Sequence, residues 1–482
     1  MLTAGRSVVD WATMDKRLPT PTNYRWNFIC FTIDSVFFGI GMTLININSV
    51  LPAFVSQFTR SAPVIGLVST VFHGCWFLPQ VVAARAINDK PRKKPYLLAG
   101  LSGRVAFVIL PLALWLGLGQ YPVGMLVLFF VCLGIFAIPD SLAAVAWSDM
   151  VARAIPLRRR GRLFSLAQSI SGVAGLGVGA AIGLILASPR LPFPTDYALI
   201  FSLAGVSLVP ATVALFLLRE DAADLPTIET QGRVRDPWLT ALRHDPAFLR
   251  VMASRILVGM IMLAMPFYVI HATEVLNLPM AAVGGFVAAQ QLAVIGFGPL
   301  LGMVSDRWGP SAVIRIGSLA CIAGPLFALV AHLSGEGPLV RAYPLVYVAL
   351  GAYQSVSMLG HYNYLLEIAP SHLRPSYIGL ANTLMGVLTL APIAGGWLLQ
   401  ATSYTVLFGI TAGLVAVGAL VSLGLRPAND PTAPEELSPN RTDPCRSGTI
   451  RASQRVTESV RSAGKALLSC RREPSTSRPC NR

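Results

Sequence analysis

Twelve long apolar runs constrain this chain more than any other feature. They cover about 27–52, 64–87, 96–117, 122–148, 163–187, 197–218, 248–272, 280–304, 312–333, 343–369, 374–400 and 404–425. A helix needs roughly 20 residues to cross a hydrocarbon core about 30 Å thick. Lipid offers no partner to a free peptide group, so each run has to close its own hydrogen bonds as α-helix. The expected fold is all-α and polytopic. Composition agrees, with 54% hydrophobic and 13% charged residues, where a soluble domain is nearer a quarter charged.

The placement of charge gives an orientation. One set of loops carries Arg60, Arg190 and Arg341. The other carries Lys90, Arg92, Lys93 and Lys94, then Arg153 and 158–160, then Arg219, Arg233, Arg235 and Arg243, then Arg307 and Arg374. The second set is expected on the cytoplasmic face of the cell membrane, and an even number of spans puts both termini there. The net charge of +15 thus serves topology and the tail, and no nucleic-acid partner is expected. Cys30, Cys75, Cys132 and Cys321 lie in apolar runs, where a thiol acts as a small hydrophobe. Cys445, Cys470 and Cys480 are scattered in the tail, so neither a disulfide framework nor a metal site is read. Residues 1–26 are polar and the first run is too long for a signal peptide, so no cleaved leader is expected.

The charged loops repeat. Asp306 follows Asp89 by 217 residues (306 − 89), Glu367 follows Asp149 by 218 (367 − 149), and Arg374 follows Arg160 by 214 (374 − 160). A period that long is one half-protein written twice, as many membrane carriers are built. The expected organisation is a segment 1–26, a six-helix bundle 27–218, a central loop 219–247, a second six-helix bundle 248–426 and a disordered basic tail 427–482. In the central loop, Asp236 and Pro237 can start a short helix with Trp238, Leu239 and Leu242 on one face; a plain linker is the alternative. The tail either touches anionic lipid or is simply solvated, and its sequon at Asn440 is discounted because it falls on the cytoplasmic side.

With these residues laid out, the chain resembles the major facilitator superfamily over about residues 24–426. Gly302–Ser311, GMVSDRWGPS, matches that family's loop G-x-x-x-D-[RK]-x-G-[RK]-[RK] through Gly302, Asp306, Arg307 and Gly309, with Pro310 and Ser311 in place of its last two basic residues. The first copy keeps Asp89, Lys90, Lys93 and Lys94 but has Arg85 and Arg92 where glycines are expected. The ends of runs four and ten, WSDMVARAIPLRRRGRLF and NYLLEIAPSHLRPSYIGLANTL, look like a bacterial branch, and APIAGG (Ala391–Gly396) like a helix-eleven signature. The resemblance implies two pseudo-symmetric bundles and a cytoplasmic gate. There Asp149 and Glu367 pair with Lys90 and Arg307, and Asp89 and Asp306 face helix N-termini; Arg160 and Arg374 belong to the same loops. The alternative is that these charges only set topology. Run four holds no Arg between 122 and 148, and run five has Gly175, Gly179 and Gly183 but no proline. Both absences weaken a drug-exporter reading.

Other residues point inward. Gly175, Gly179 and Gly183 in run five, and Ala281, Gly285, Ala289 and Ala293 in run eight, form small-residue stripes. These permit close helix approach, either as a sliding seam between halves or as ordinary packing. Asp34, Arg104 and Asp140 sit about 10–14 Å from the cytoplasmic edge. One Arg between two acids leaves a carboxylate unmatched, which is a candidate proton carrier; the alternative is a static pair with the other acid solvated. In run ten, Gln354, Ser357, His361 and Tyr364 follow helical spacing and are expected to share a face toward a polar solute. Gln290, Gln291 and Gln168 are weaker candidates, while His73 and Asn382 read as packing.

No phosphate loop or paired-His metal motif is present, so neither an enzyme nor a cofactor is expected. The expected function is secondary active transport of a small solute by alternating access, coupled to protons, by a monomer in the lipid bilayer. The alternatives are a uniporter, or a sensor or scaffold on the same fold.

Overall fold

The computed structural model describes residues 23–88, 90–220, 245–335, 337–369 and 374–425. The proposed helix at 236–242, the tail, its sequon and Asp89 lie outside them.

The apolar runs are helices. The first six are α1 (Tyr24–Leu44), α2 (Ala62–Asn88), α3 (Lys94–Trp115), α4 (Pro122–Ala154), α5 (Leu157–Ala187) and α6 (Thr195–Phe216). The second six are α7 (Pro246–Val275), α8 (Ala282–Trp308), α9 (Pro310–Ser334), α10 (345–368), α11 (374–401) and α12 (Tyr404–Leu423). Eleven are long and apolar enough to cross a membrane. The twelfth, α10, carries Gln354, Ser355, Ser357, His361 and Asn363, so it is less apolar than the rest. It also changes form midway, with a π-helical stretch at Ser357–Tyr362 between α-helical Leu345–Val356 and Asn363–Ile368.

The packing repeats with a step of six helices. In the first group α1 packs on α6, α2 on α4, α3 on α4, and α3 on α6. In the second, α7 packs on α12, α8 on α10, α9 on α10, and α9 on α12. The groups meet along two crossed seams, α5 against α8 and α11 against α2, which the same step interchanges.

Both seams are close backbone approaches in the part of the molecule away from the basic loops. At the first, a Cβ on Gly179 would lie 2.8 Å from the carbonyl oxygen of Gly284, and one on Gly284 would overlap the backbone of Gly179 and Gly183. Only a residue without Cβ fits, which is the small-residue logic of membrane helix pairs. At the second, a Cβ on Gly396 would lie 2.6 Å from the Ala62 carbonyl oxygen, and one on Gly66 would overlap the Pro392 carbonyl. The run-five stripe faces α8 as expected. On α8, however, the residues in contact are Ala281, Gly284, Ala288, Gln291 and Ile295. A Cβ on Gly285 would meet nothing, and Ala293 packs instead on Gly351 of α10.

The loop ends are fastened by backbone-directed side chains. Glu220 accepts hydrogen bonds from the N–H groups of Lys93 (2.6 Å) and Lys94 (3.1 Å), riveting the end of α6 to the start of α3. A carboxylate at a helix N-terminus satisfies free donors and complements the helix dipole. Asp245 does the same at α7, accepting from Ala247 N (2.9 Å) and Phe248 N (3.0 Å), and is itself held by Tyr377 (2.8 Å).

Candidate functional site

Asp34, Arg104 and Asp140 come together inside the first group. Arg104 lies on a 3-10 turn, Leu101–Val105, that interrupts α3. Pro139 in α4 leaves carbonyls without an intrahelical donor, and Gly103 of this turn presses against the Ile135 carbonyl, 2.5 Å from where its Cβ would stand. The turn brings Arg104 Nη2 to 3.8 Å from Asp34 Oδ1, with both side chains at 10% exposure or less. Arg104 Nη1 also donates to Thr212 Oγ1 (2.5 Å) and to the Leu208 carbonyl (3.2 Å) on α6.

Each carboxylate has its own indole. Trp147 Nε1 donates to Asp34 Oδ2 at 2.9 Å, and Trp76 Nε1 donates to Asp140 Oδ2 at 3.0 Å. Asp34 therefore has a cation and a neutral donor, whereas Asp140, 7% exposed, is held by the neutral donor. Losing a proton at Asp140 leaves a buried anion without a counter-ion of its own, and gaining one removes it.

The polar set on α10 is divided by the π-helical stretch. Gln354 is exposed and Ser357 partly so, while His361 and Tyr364 are each 2% exposed. An i→i+5 turn adds a residue to the cycle and rotates the later residues away from the face that helical spacing predicts. Tyr364 packs in a cluster with Phe248, Ile314 and Tyr377. His361 Nε2 lies 3.5 Å from Ser254 Oγ on α7. Gln290 is a link between groups: Asn46 Nδ2 donates to its Oε1 at 3.1 Å, and the neighbouring Gln291 donates to Thr43 at 2.9 Å.

The charged loop residues are spread. Asp149 forms an ion pair at 2.8 Å with Arg153, one turn along its own helix. Arg160 Nε donates to the Ile155 carbonyl (3.0 Å) and its Nη2 to the Ala152 carbonyl, so it caps the end of α4. Lys90, Asp306 and Glu367 are exposed, and Arg307 lies over the Trp308 ring at 5.3 Å. Gly302 is helical with open space beside it, and Gly309, at φ +79°, makes the turn from α8 to α9. Arg374 begins α11, with its side chain outside the described residues.

Two features escape sequence reasoning. Arg255 on α7 has Nε and Nη1 buried with no hydrogen-bond partner. It lies as deep in run seven as Asp34 does in run one, so the depth that singled out Asp34 could have found it. His271, fully buried on α7, lies 2.9 Å from the Tyr343 hydroxyl and 3.0 Å from His332 Nδ1, with Tyr404 and Phe408 of α12 against its ring. This clasp joins the ends of α7, α9 and α12.

Two six-helix groups related by repeat, joined by glycine seams and each burying ionisable side chains, define a polytopic membrane transporter. The sequence matches the family model of the Major Facilitator Superfamily over residues 33–389, and the chain belongs to that family. No curated protein matches it. Its fold is similar to that of the nucleoside transporter NupG, at TM-score 0.62 and 13% identity, covering 83% of this chain and 100% of that one. It is likewise similar to the xylose transporter XylE from E. coli, captured inward open, at TM-score 0.61 and 18% identity over 85% and 98% of the two chains. A bacterial homologue of the iron transporter ferroportin in an inward-facing state gives 0.62 and 13% over 82% and 98%. Identities this low speak for the fold alone.

Proposed function

We propose that this protein is a secondary active carrier that moves a small solute by alternating access, coupled to protons through Asp34, Arg104 and Asp140. The observation that carries the coupling is the division of one guanidinium between two buried carboxylates, Arg104 lying on Asp34 and leaving Asp140 to a neutral indole. A proton on Asp140 removes a charge that is costly in low dielectric, by about 3 kcal/mol at a membrane centre. Its loss loads that cost onto whichever conformation keeps the site dry. Protonation thereby biases the two conformations differently, as coupling requires.

The alternating part of the reading rests on the seams. The glycine approaches and the Asn46–Gln290 and Thr43–Gln291 hydrogen bonds lie from mid-helix to the end opposite the basic loops. This corresponds to a state closed at that end. With the basic loops taken as cytoplasmic, it is an inward-facing state of a cell-membrane protein with both termini inside, working as a monomer. In the opposite state the charged loops would form the gate, with Asp149 exchanging Arg153 for Lys90.

The test is solute-driven proton movement in proteoliposomes, read with an internal pH dye over sugars, amino acids and organic acids. One solute class is expected to move protons. Asp140→Asn should abolish the proton signal while leaving counterflow of the same labelled solute. Concentrative flux that is unchanged in both Asp34→Asn and Asp140→Asn would remove the coupling role from these acids, and flux of the native protein that only equilibrates the solute, with no proton movement, would replace this reading with a uniporter.

A further inference from the structure

The second helix group holds a half-buried cation, Arg255, that no carboxylate among the described residues neutralises. Arg255 Nε and Nη1 are shut off from solvent and lack a hydrogen-bond acceptor, and among the described residues no carboxylate pairs with it. The segment of α10 that faces it is fixed by its neighbour Ser254, whose Oγ lies 3.5 Å from His361 Nε2, and Tyr362 follows His361 in that segment. Tyr353 is placed independently, because its hydroxyl oxygen lies 3.6 Å from where a Cβ on Gly259, one turn beyond Arg255, would stand. Among the described residues neither tyrosine hydroxyl has a hydrogen-bond partner. The cluster thus offers a guanidinium, which stays charged, and two hydroxyls that can donate, with no carboxylate among the described residues to neutralise the charge.

We propose that Arg255, Tyr353 and Tyr362 form the anchor for a carboxylate group on the transported solute. This rests on the carrier reading. Two guanidinium nitrogens sealed from water without an acceptor are costly, and an arriving anion supplies what they lack. The guanidinium fork matches the two oxygens of a carboxylate, and charge-assisted bonds of this kind are about twice as strong as neutral ones. A single guanidinium balances one negative charge, which fits a monocarboxylate better than a phosphate dianion.

The two groups are then complementary. The first buries two acids against one Arg, and this part of the second holds one half-buried Arg and no acid. A carboxylate held by Arg255 and a proton held by Asp140 would travel as a neutral pair, so transport would be electroneutral.

The experiment uses the purified full-length protein in lipid nanodiscs at fixed ionic strength. Its thermal midpoint is followed against acetate, lactate, phenylacetate and nicotinate, each beside its neutral amide. At least one acid should raise the midpoint in a dose-dependent way and its amide should not, a comparison that needs no variant. Arg255→Gln should weaken the apparent affinity for that acid about 10- to 100-fold, and Arg255→Lys should weaken it less. The proposal is overturned if no acid stabilises the protein, if amides match acids, or if Arg255→Gln responds as the native chain does. Counterflow in proteoliposomes separates the two readings. Flux of a neutral solute that survives Arg255→Gln removes the anchor and keeps the carrier. Acid binding that requires Arg255 but produces no flux keeps the anchor and removes the carrier.

Discussion

Gly284→Ala tests whether the α5–α8 seam closes in one conformation only. The new Cβ would lie 2.6 Å from Gly183 Cα and would overlap the Gly179 carbonyl and the Gly183 nitrogen. Ordinary contacts between carbon atoms are about 3.5–4.0 Å, so the helices must part by about 1 Å. The obstacle is backbone and cannot swing aside, and overpacking of this kind costs about 1–3 kcal/mol. If the penalty falls on the state closed at this end and spares the other, the ratio of the two states shifts about 5- to 150-fold. Spin labels at Gln57 and Thr402, which are exposed at that end on opposite groups, would report it as a longer-distance population in pulsed EPR. Gly285→Ala is the control, because its Cβ would meet nothing within 4 Å. A Gly284→Ala protein that melts earlier with an unchanged distance distribution would show a fixed seam and refute the argument.

Three further perturbations probe individual contacts. Arg104→Ala strands Asp34 and should cost about 3–5 kcal/mol by thermal unfolding, with Asp34→Asn in the same chain recovering part of the loss; no recovery would mean that the pair is not the source. Glu220→Ala frees the two N–H groups at the start of α3 and should cost about 1–2 kcal/mol, with Glu220→Gln in between; an unchanged midpoint would dismiss the rivet. Asn46→Ala and Gln290→Ala should be non-additive by about 0.5–1.5 kcal/mol in a double-mutant cycle, and strict additivity would show that the bond is not formed in solution.

The twelve helices and their duplication were legible because lipid removes every alternative to a helix, and because the charged loops recur at nearly one offset. The grouping of Asp34, Arg104 and Asp140 was legible from depth alone: charges at one level in neighbouring helices of a bundle have few places to go. The face of α10 was not, since nothing in its sequence announces the π-helical stretch at Ser357–Tyr362, and one extra residue is enough to turn Gln354 and His361 apart. The stripe on α8 failed for a related reason. On a 3.6-residue helix, Ala281–Gly285–Ala289 and Ala281–Gly284–Ala288 are adjacent rows, and only the partner helix selects between them. Arg255 was as legible by depth as Asp34 but was passed over in a run that opens with another Arg. The partner of Asp149 was misplaced because Arg153, one turn along the same helix, is within reach at 2.8 Å, whereas Lys90 came from the family resemblance.

The crossed seams carry a mechanical consequence. Each bundle lends its fifth rod to the other's second, so the halves bear on each other at two places. A displacement of one half against the other would have to be accommodated at α5–α8 and α11–α2 together, so bulk added at one contact is expected to be felt at the other.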